Sequence, residues 1–279
     1  MRFTFLRLPL ICLWFACFPI VVRAVGTLDF YLLDVELGNA TLTVTPSGQT
    51  PLIDGGNKTS NNRDARRFLA LANQFGITQI DYLVVTHYQC DHYGAIPEIS
   101  RHIHIVDWVD HGPNVEDDRD EEWQKHWITK CDEPLYAEYL EARQGSKHLV
   151  VKPGDKISPD GMNVQIVSSA GKMITAPLPG EPNPTCSITP LRSEDETEDR
   201  QSVGMVILFG RFRYAFLGDL TWNKSRELFC PNNLLGRVDV YETTHHGMSI
   251  DRGVRRCSVG KVLLLGSGSF WPASDGRHP

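Results

Sequence analysis

The stretch Ile80-Asp-Tyr-Leu-Val-Val-Thr-His-Tyr-Gln-Cys-Asp-His92 decides how this 279-residue chain is read. Ile80 to Val85 is a short, nearly continuous apolar run of the kind that becomes a strand buried on both faces. Directly after it, Thr86 to His92 places His87, Asp91 and His92 within six residues. A loop leaving a strand end can turn several side chains into one space, and imidazole nitrogen with carboxylate oxygen is a donor set that zinc accepts. Taken alone, the loop could be a solvated surface feature. Two further groups in matching settings weaken that reading. Gly218-Asp219 follows the strand-like run Arg213 to Leu217, and His245-His246-Gly247 follows the run Val238 to Thr243. Three separate strand ends thus present metal-ligand side chains.

Working outward, the segment before this stretch reads as a β-meander. Leu28 to Val35 and Thr41 to Thr45 are strand-like, and the turn Pro46-Ser-Gly-Gln49 leads into Pro51-Leu-Ile-Asp54 with Gly55-Gly56 behind it. Asp64 to Phe75 has apolar residues near helical spacing and stops at Gly76. Beyond the stretch, His102 and His104 alternate on a short strand-like segment. Further strands are expected at Met162 to Val167, Val203 to Phe209, Arg213 to Leu217, Val238 to Thr243 and Lys261 to Leu265. Helices are expected at Glu121 to Lys130, Leu135 to Arg143 and Trp222 to Phe229. Two strand-rich halves with helices outside predict an α/β fold, a four-layer αββα sandwich, within one domain. Residues 112–147 and 171–200 read as insertions that could rim a site. Their acidic runs, Glu116 to Glu122 and Ser193 to Asp199, are expected to be solvated faces.

These motifs together resemble the metallo-β-lactamase superfamily, and within it the branch that includes the hydrolase domain of bacterial DNA-uptake channels and various secreted phosphodiesterases. The family motif His-x-His-x-Asp-His stands here as His87-Tyr-Gln89-Cys-Asp91-His92. Leu33-Asp-Val-Glu-Leu-Gly-Asn-Ala40 resembles the branch's opening strand and turn, Leu52-Ile-Asp-Gly-Gly56 its next element, and Leu217-Gly-Asp-Leu220 and His245-His-Gly247 its later metal motifs. The resemblance implies the metallo-β-lactamase fold over residues 25–279, holding one or two zinc ions. It assigns Asp91, His92 and one or both of His245 and His246 to a second metal position, His87 to the first, and Asp219 to both. Asp54 would stand behind the ligands and hold their loop by hydrogen bonds, although an Asp before Gly-Gly is equally a turn residue.

The chain also departs from that pattern. Gln89 occupies the place of a second His or Asp, and a neutral amide oxygen is a poor substitute for either. No His lies between His148 and His245, and where the branch often has an Asn this chain offers only Asp199-Arg-Gln-Ser202. The first position is therefore expected to be reduced to His87 and the shared Asp219. Asp275-Gly-Arg-His-Pro279 resembles a segment near the site in relatives, but a His beside a terminal Pro is more often surface. His111, His126 and His148 read as solvated or structurally bonded. Cys90 reads as buried or disulfide-bonded rather than as a ligand, because neighbours on an extended backbone face opposite ways.

Residues 1–24 read as a secretory leader: Arg2 and Arg7 at the start, an apolar run of 15 residues from Leu8 to Val22, then Val22-Arg23-Ala24. Its removal takes three Arg and leaves 25 basic against 34 acidic side chains. So acidic a chain is not expected to cling to nucleic acid or anionic membrane. Asn39, Asn57 and Asn223 head glycosylation sequons, which suit secretion only if exposed. Cys90, Cys131, Cys186, Cys230 and Cys257 allow at most two bridges, in a pairing that sequence leaves open.

Two functional readings follow. In one, the protein is a secreted zinc-dependent hydrolase of phosphodiester or related ester bonds in a small-molecule substrate, with Asp219, His245 and His246 in the chemistry. In the other, it is a non-catalytic relative with a degraded first metal site, binding a ligand or partner. β-Lactam hydrolysis in the strict sense is disfavoured, because the first position lacks three histidines.

Overall fold

The computed structural model describes residues 26–117, 119, 134–178, 181–188, 190–247 and 259–265. The leader, the expected helix at Glu121 to Lys130, His126, Cys131, Cys257 and the segment Asp275 to Pro279 lie outside the described residues.

Six strands form the first sheet in sequence order: β1 (Asp29–Leu32), β2 (Thr41–Val44), β3 (Pro51–Ile53), β4 (Gln79–Val84), β5 (His104–Asp110) and β6 (Lys147–Val150). The first three form the expected antiparallel meander. From β3 onward the strands run parallel, which requires a crossover between each pair. The crossovers supply α1 (Arg63–Phe75), α2 (Cys90–Tyr93), α3 (Ile96–Ser100) and α4 (Leu135–Ala142). Gly76 ends α1 in the left-handed conformation at φ 65°, its N–H returning to the carbonyls of Ala72 and Asn73. Because β3 to β6 are parallel, the loops that follow them leave from one rim. That rim receives Asp54, the Thr86–His92 loop, His111 and Lys152.

The second half adds β7 (Lys156–Ile157), β8 (Asn163–Ser169), β9 (Lys172–Met173), β10 (Glu181–Pro182), β11 (Gly204–Phe209), β12 (Phe212–Phe216), α5 (Trp222–Phe229), β13 (Asn232–Asn233), β14 (Val238–Glu242) and β15 (Val259–Leu265). The second sheet has the order β15-β14-β12-β11-β8-β7, with β9 paired to β8, while β10 and β13 pair apart from it. Three apolar clusters fill the spaces between four layers. Phe68, Ile96, Ile99 and Leu135 pack helices on the first sheet, Ile53, Val84, Ile166 and Phe216 join the two sheets, and Leu228 and Phe229 of α5 pack on the second. The αββα sandwich is therefore present as read.

Several expectations change. β5 is a largely buried strand of the first sheet and β6 its edge strand, where the sequence suggested only a short segment near His104 and an insertion up to 147. Asp81 and Tyr82 leave β4 only partly covered, not buried on both faces. The run Ser193 to Asp199 is not solvated to its end: Glu198 and Asp199 open a 3-10 turn, Glu198–Gln201, and are buried, as is Glu116. Asn39 and Asn223 are buried with their amides donating to the carbonyls of Ile53 and Arg192, which leaves no room for a glycan at either sequon in the folded protein. Cys186 and Cys230 form a disulfide that ties the 171–200 loop to the end of α5. Cys90 is disulfide-bonded as well.

Candidate metal centre

The two ends of the sandwich core that meet at the rim are brought together by close backbone approach. Gly38 sits where a Cβ would come within 2.1 Å of the Asp91 carbonyl, so the Leu33–Ala40 turn can press on the ligand loop and donate Asn39 N–H to that carbonyl at 3.1 Å. Gly218, at φ 56°, lets the end of β12 pass Thr86, whose Cβ would be 3.0 Å from a side chain there. Asp219 is delivered beside the Thr86–His92 loop as a result.

Asp54 organises that loop. Its carboxylate accepts from Thr86 N–H and the Thr86 hydroxyl, each at 2.8 Å, and contacts His92 Nδ1 at 2.8 Å. A carboxylate on Nδ1 fixes the proton there and leaves Nε2 to face the site. Asp54 is thus the supporting residue expected, and not merely a turn residue, although it also adopts φ 56°.

Two clusters of metal-ligand side chains lie at the rim. One comprises Asp91, His92, Asp219 and His246, with donor atoms all within 4.8 Å of one another. In it His92 Nε2 is 3.1 Å from Asp219 Oδ1, and His246 Nε2 is 3.0 Å from both Asp91 Oδ2 and Asp219 Oδ2. The other comprises His87, Asp199 and Asp219. Asp219 belongs to both. The histidine doublet divides between them: His246 joins the first-named cluster, while His245 has Nδ1 3.6 Å from Asp199 and Nε2 3.9 Å from Asp219. Both residues have positive φ, 48° and 57°, so the Thr244–Gly247 turn, rather than strand alternation, aims them.

Asp199 was not among the residues expected at the site. It supplies the third ligand-type group that the sequence reading found missing beside His87, which corrects the expectation of a first position reduced to two residues. The resemblance marks its place, since Asp199-Arg-Gln-Ser202 stands where the branch often has an Asn, but the carboxylate was not counted as a ligand. A carboxylate buried 110 residues downstream of the His87 loop becomes visible only when β11 is paired and the 3-10 turn before it is laid against that loop. Gln89 has its backbone carbonyl engaged by His92 and Tyr93.

The donor atoms themselves indicate that the clusters fit a cation. His87 Nε2 and Asp199 Oδ1 are buried without a hydrogen-bond partner among the described residues, as is His245 Nδ1. Such orphaned atoms are costly unless an ion or water satisfies them. Burial and the neighbouring Asp219 charge push the Asp199 carboxyl well above its ordinary range, a like-charge conflict that a divalent ion relieves. Burial, reinforced by the charge of His92, lowers His87 to about 3 and so keeps its imidazole in the neutral, ligating form. Around Asp91 and Asp219 the balance differs. Burial alone would raise Asp91, but His92 and His246 outweigh it and hold the carboxyl at about 2; against the opposing effect of burial, Asp219 and Asp91 hold His246 at about 9.

Glu198 braces the arrangement from behind. Fully buried, it accepts from Val115 N–H at 2.7 Å and Tyr88 N–H at 3.2 Å and pairs with His111 Nε2 at 2.8 Å. It thereby joins the loops after β4 and β5 to the turn that carries Asp199. Glu198→Ala leaves these groups buried without a partner and is expected to lower stability by about 3 kcal/mol. Urea denaturation checks this, and an unchanged midpoint would show that the brace is not formed.

A second buried acid lies beneath the site. Burial, partly offset by the Tyr214 hydroxyl, raises Glu242 to about 8 from an ordinary 4.5. Because the folded value lies above the unfolded one, the stabilisation is complete below 4.5 and is lost as pH rises through about 8. His246 acts in the same direction between 6.5 and about 9. Metal-free protein should therefore lose stability from pH 6 to pH 9, and Glu242→Gln should flatten that loss. Equal slopes in the two proteins would mean that Glu242 is ionised throughout.

A four-layer sandwich with two clusters of candidate metal ligands at converging strand ends is the arrangement of a fold class that is generally hydrolytic. The chain belongs to the metallo-beta-lactamase superfamily, whose family model matches residues 33–194, more than half its length. No curated protein matches it. Among solved structures it is similar to MEM-A1, a subclass B3 metallo-beta-lactamase from a soil metagenome library, at 13% identity and TM-score 0.46, covering 84% of this chain and 83% of that one. It is also similar to YhfI, a metallo-beta-lactamase fold protein from Bacillus subtilis, at 11% identity and TM-score 0.41, covering 76% of this chain and 69% of that one. A third is CmlA, a diiron beta-hydroxylase from Streptomyces venezuelae, at 16% identity and TM-score 0.41, covering 78% of this chain. This chain spans 35% of the CmlA chain.

Proposed function

We propose that this protein is a secreted, zinc-dependent hydrolase of phosphodiester or related ester bonds. The observation that bears most on this reading is the buried Asp219, which belongs to both of two adjoining clusters of candidate ligand atoms. Two imidazoles and two carboxylates, from His92, His246, Asp91 and Asp219, suit zinc at the second position. One imidazole and two carboxylates, from His87, Asp199 and Asp219, suit zinc or a harder divalent ion at the first.

When bound, such ions supply Lewis acidity and acidify water near neutral pH. The chain's own residues do the rest. Asp219 orients the attacking water between the clusters and accepts its proton. Asp54 keeps His92 in one tautomer, and Glu198 keeps Asp199 in place. His245 turns a buried Nδ1 toward Asp199 and keeps part of its ring exposed, so the exposed part of the ring would contact the ester. The resemblance of its motifs to those of DNA-uptake hydrolases and secreted phosphodiesterases favours a phosphodiester, and the net acidic chain favours a small substrate over nucleic acid or membrane. Secretion draws support from the leader-like residues 1–24 and from the disulfides, which persist in oxidising compartments.

The test is a screen of chromogenic phosphodiesters, phosphomonoesters and carboxyl esters with metal-loaded mature protein. Turnover of a phosphodiester that chelation abolishes supports the reading. A metal-loaded protein inert to every ester would instead be a non-catalytic member of the superfamily.

A further inference from the structure

A cavity of about 520 Å³ opens on the same rim as the metal clusters. His111, Val150 and Lys152, at the ends of β5 and β6, form one side; Lys172, Met173 and Ile174, from β9 and the residue after it, form the other. No carboxylate side chain lines it, in a chain with 34 acidic against 28 basic residues. Neither lysine makes an ion pair among the described residues. The nearest acid in sequence, Asp155, accepts the Lys152 backbone N–H, and Glu198 is engaged with His111.

A third cation stands at the foot of the β8–β9 hairpin. Arg200 Nε is buried without a hydrogen-bond partner and lies 3.8 Å from where a side chain on Gly171 would begin. Gly171 joins the wall residues Ala170 and Lys172, and both turn residues have positive φ, 49° and 69°, the conformation of a tight two-residue hairpin loop. Ala170 N–H donates to the Gln201 carbonyl at 3.1 Å. The hairpin that presents Lys172 is thus pinned to the turn that presents Asp199. On the other wall, His111 reaches that same turn through Glu198, the residue beside Asp199.

We propose that this cavity is a binding site for a second anionic group, a phosphate or carboxylate, carried on a small apolar body. Lys152 and Lys172 would neutralise the anion, and Val150, Met173 and Ile174 would cover the apolar part. The site rests on the hydrolase reading only in making this ligand part of the substrate. In that case the substrate carries its extra charge one cavity away from the bond that is cut.

Phenylphosphonate, an anion on an apolar ring with no ester to hydrolyse, is the probe. Calorimetry on metal-free, folded protein should show one binding event per chain, weakened by added salt. Lys172→Ala should raise the dissociation constant about tenfold, as loss of a charge-assisted contact does, and Lys152→Glu should abolish binding. Absence of binding, or variants that bind as the wild type does, overturns the proposal. If circular dichroism shows that chelation unfolds the chain, the same variants are compared on metal-loaded protein, where unchanged affinity overturns it equally. A protein that binds the probe but hydrolyses no ester would retain this site and lose the hydrolase reading.

Discussion

Asp219→Ala is expected to abolish ester hydrolysis and to strip metal from both positions while leaving the chain folded. Asp219 is the one described residue common to both clusters, so its loss removes a ligand from each, together with the group that handles the proton of the attacking water. Loss of such a group costs about 10³-fold or more in turnover. The side chain lies at a strand end and contributes no apolar contact to the core, so circular dichroism should be unchanged. Full activity in the variant would mean that water is activated by other residues.

Asp199→Ala should have the next largest effect and a different signature. The cluster of Asp91, His92, Asp219 and His246 is untouched, so one equivalent of zinc should remain tightly bound. The other position is left with His87 and Asp219, which is too few donors to hold an ion firmly. Titration after chelation should fall from two equivalents to one, and turnover by about 10²-fold. Asp199→His restores a nitrogen donor and should recover the second equivalent. Two tight equivalents in Asp199→Ala would show that His245 or Gln89, rather than Asp199, completes the position.

Most of this centre was legible in the sequence because its residues announce themselves locally. His87, Asp91, His92, Asp219 and His246 each follow an apolar run by one to a few residues, and ligand-type side chains at strand ends are hard to explain by packing. Asp199 carries no such signal. It closes an acidic run, and its burial depends on a contact between Glu198 and Tyr88 N–H across 110 positions. β5 and β6 were hidden for a related reason. Asp107 and Asp110 interrupt the apolar pattern, yet Asp107 pairs with Lys147 at 2.7 Å, and Asp110 accepts from the Tyr139 hydroxyl at 2.7 Å and contacts His148 at 2.8 Å. Partners that satisfy a buried acid from 30 or 40 residues away leave no local pattern. Which member of the histidine doublet joins which cluster was also out of reach, since alternation along a strand fails once both residues turn left-handed.

If paired metal positions sharing Asp219 make this protein a hydrolase, metal binding and turnover must rise together. The most direct test is zinc titration of chelated protein with bound metal and phosphodiester turnover followed together. Two equivalents are expected, the second weaker than the first, with turnover rising as the second binds. Two bound equivalents with no turnover of any ester, or turnover that persists in fully chelated protein, would contradict the hydrolase reading.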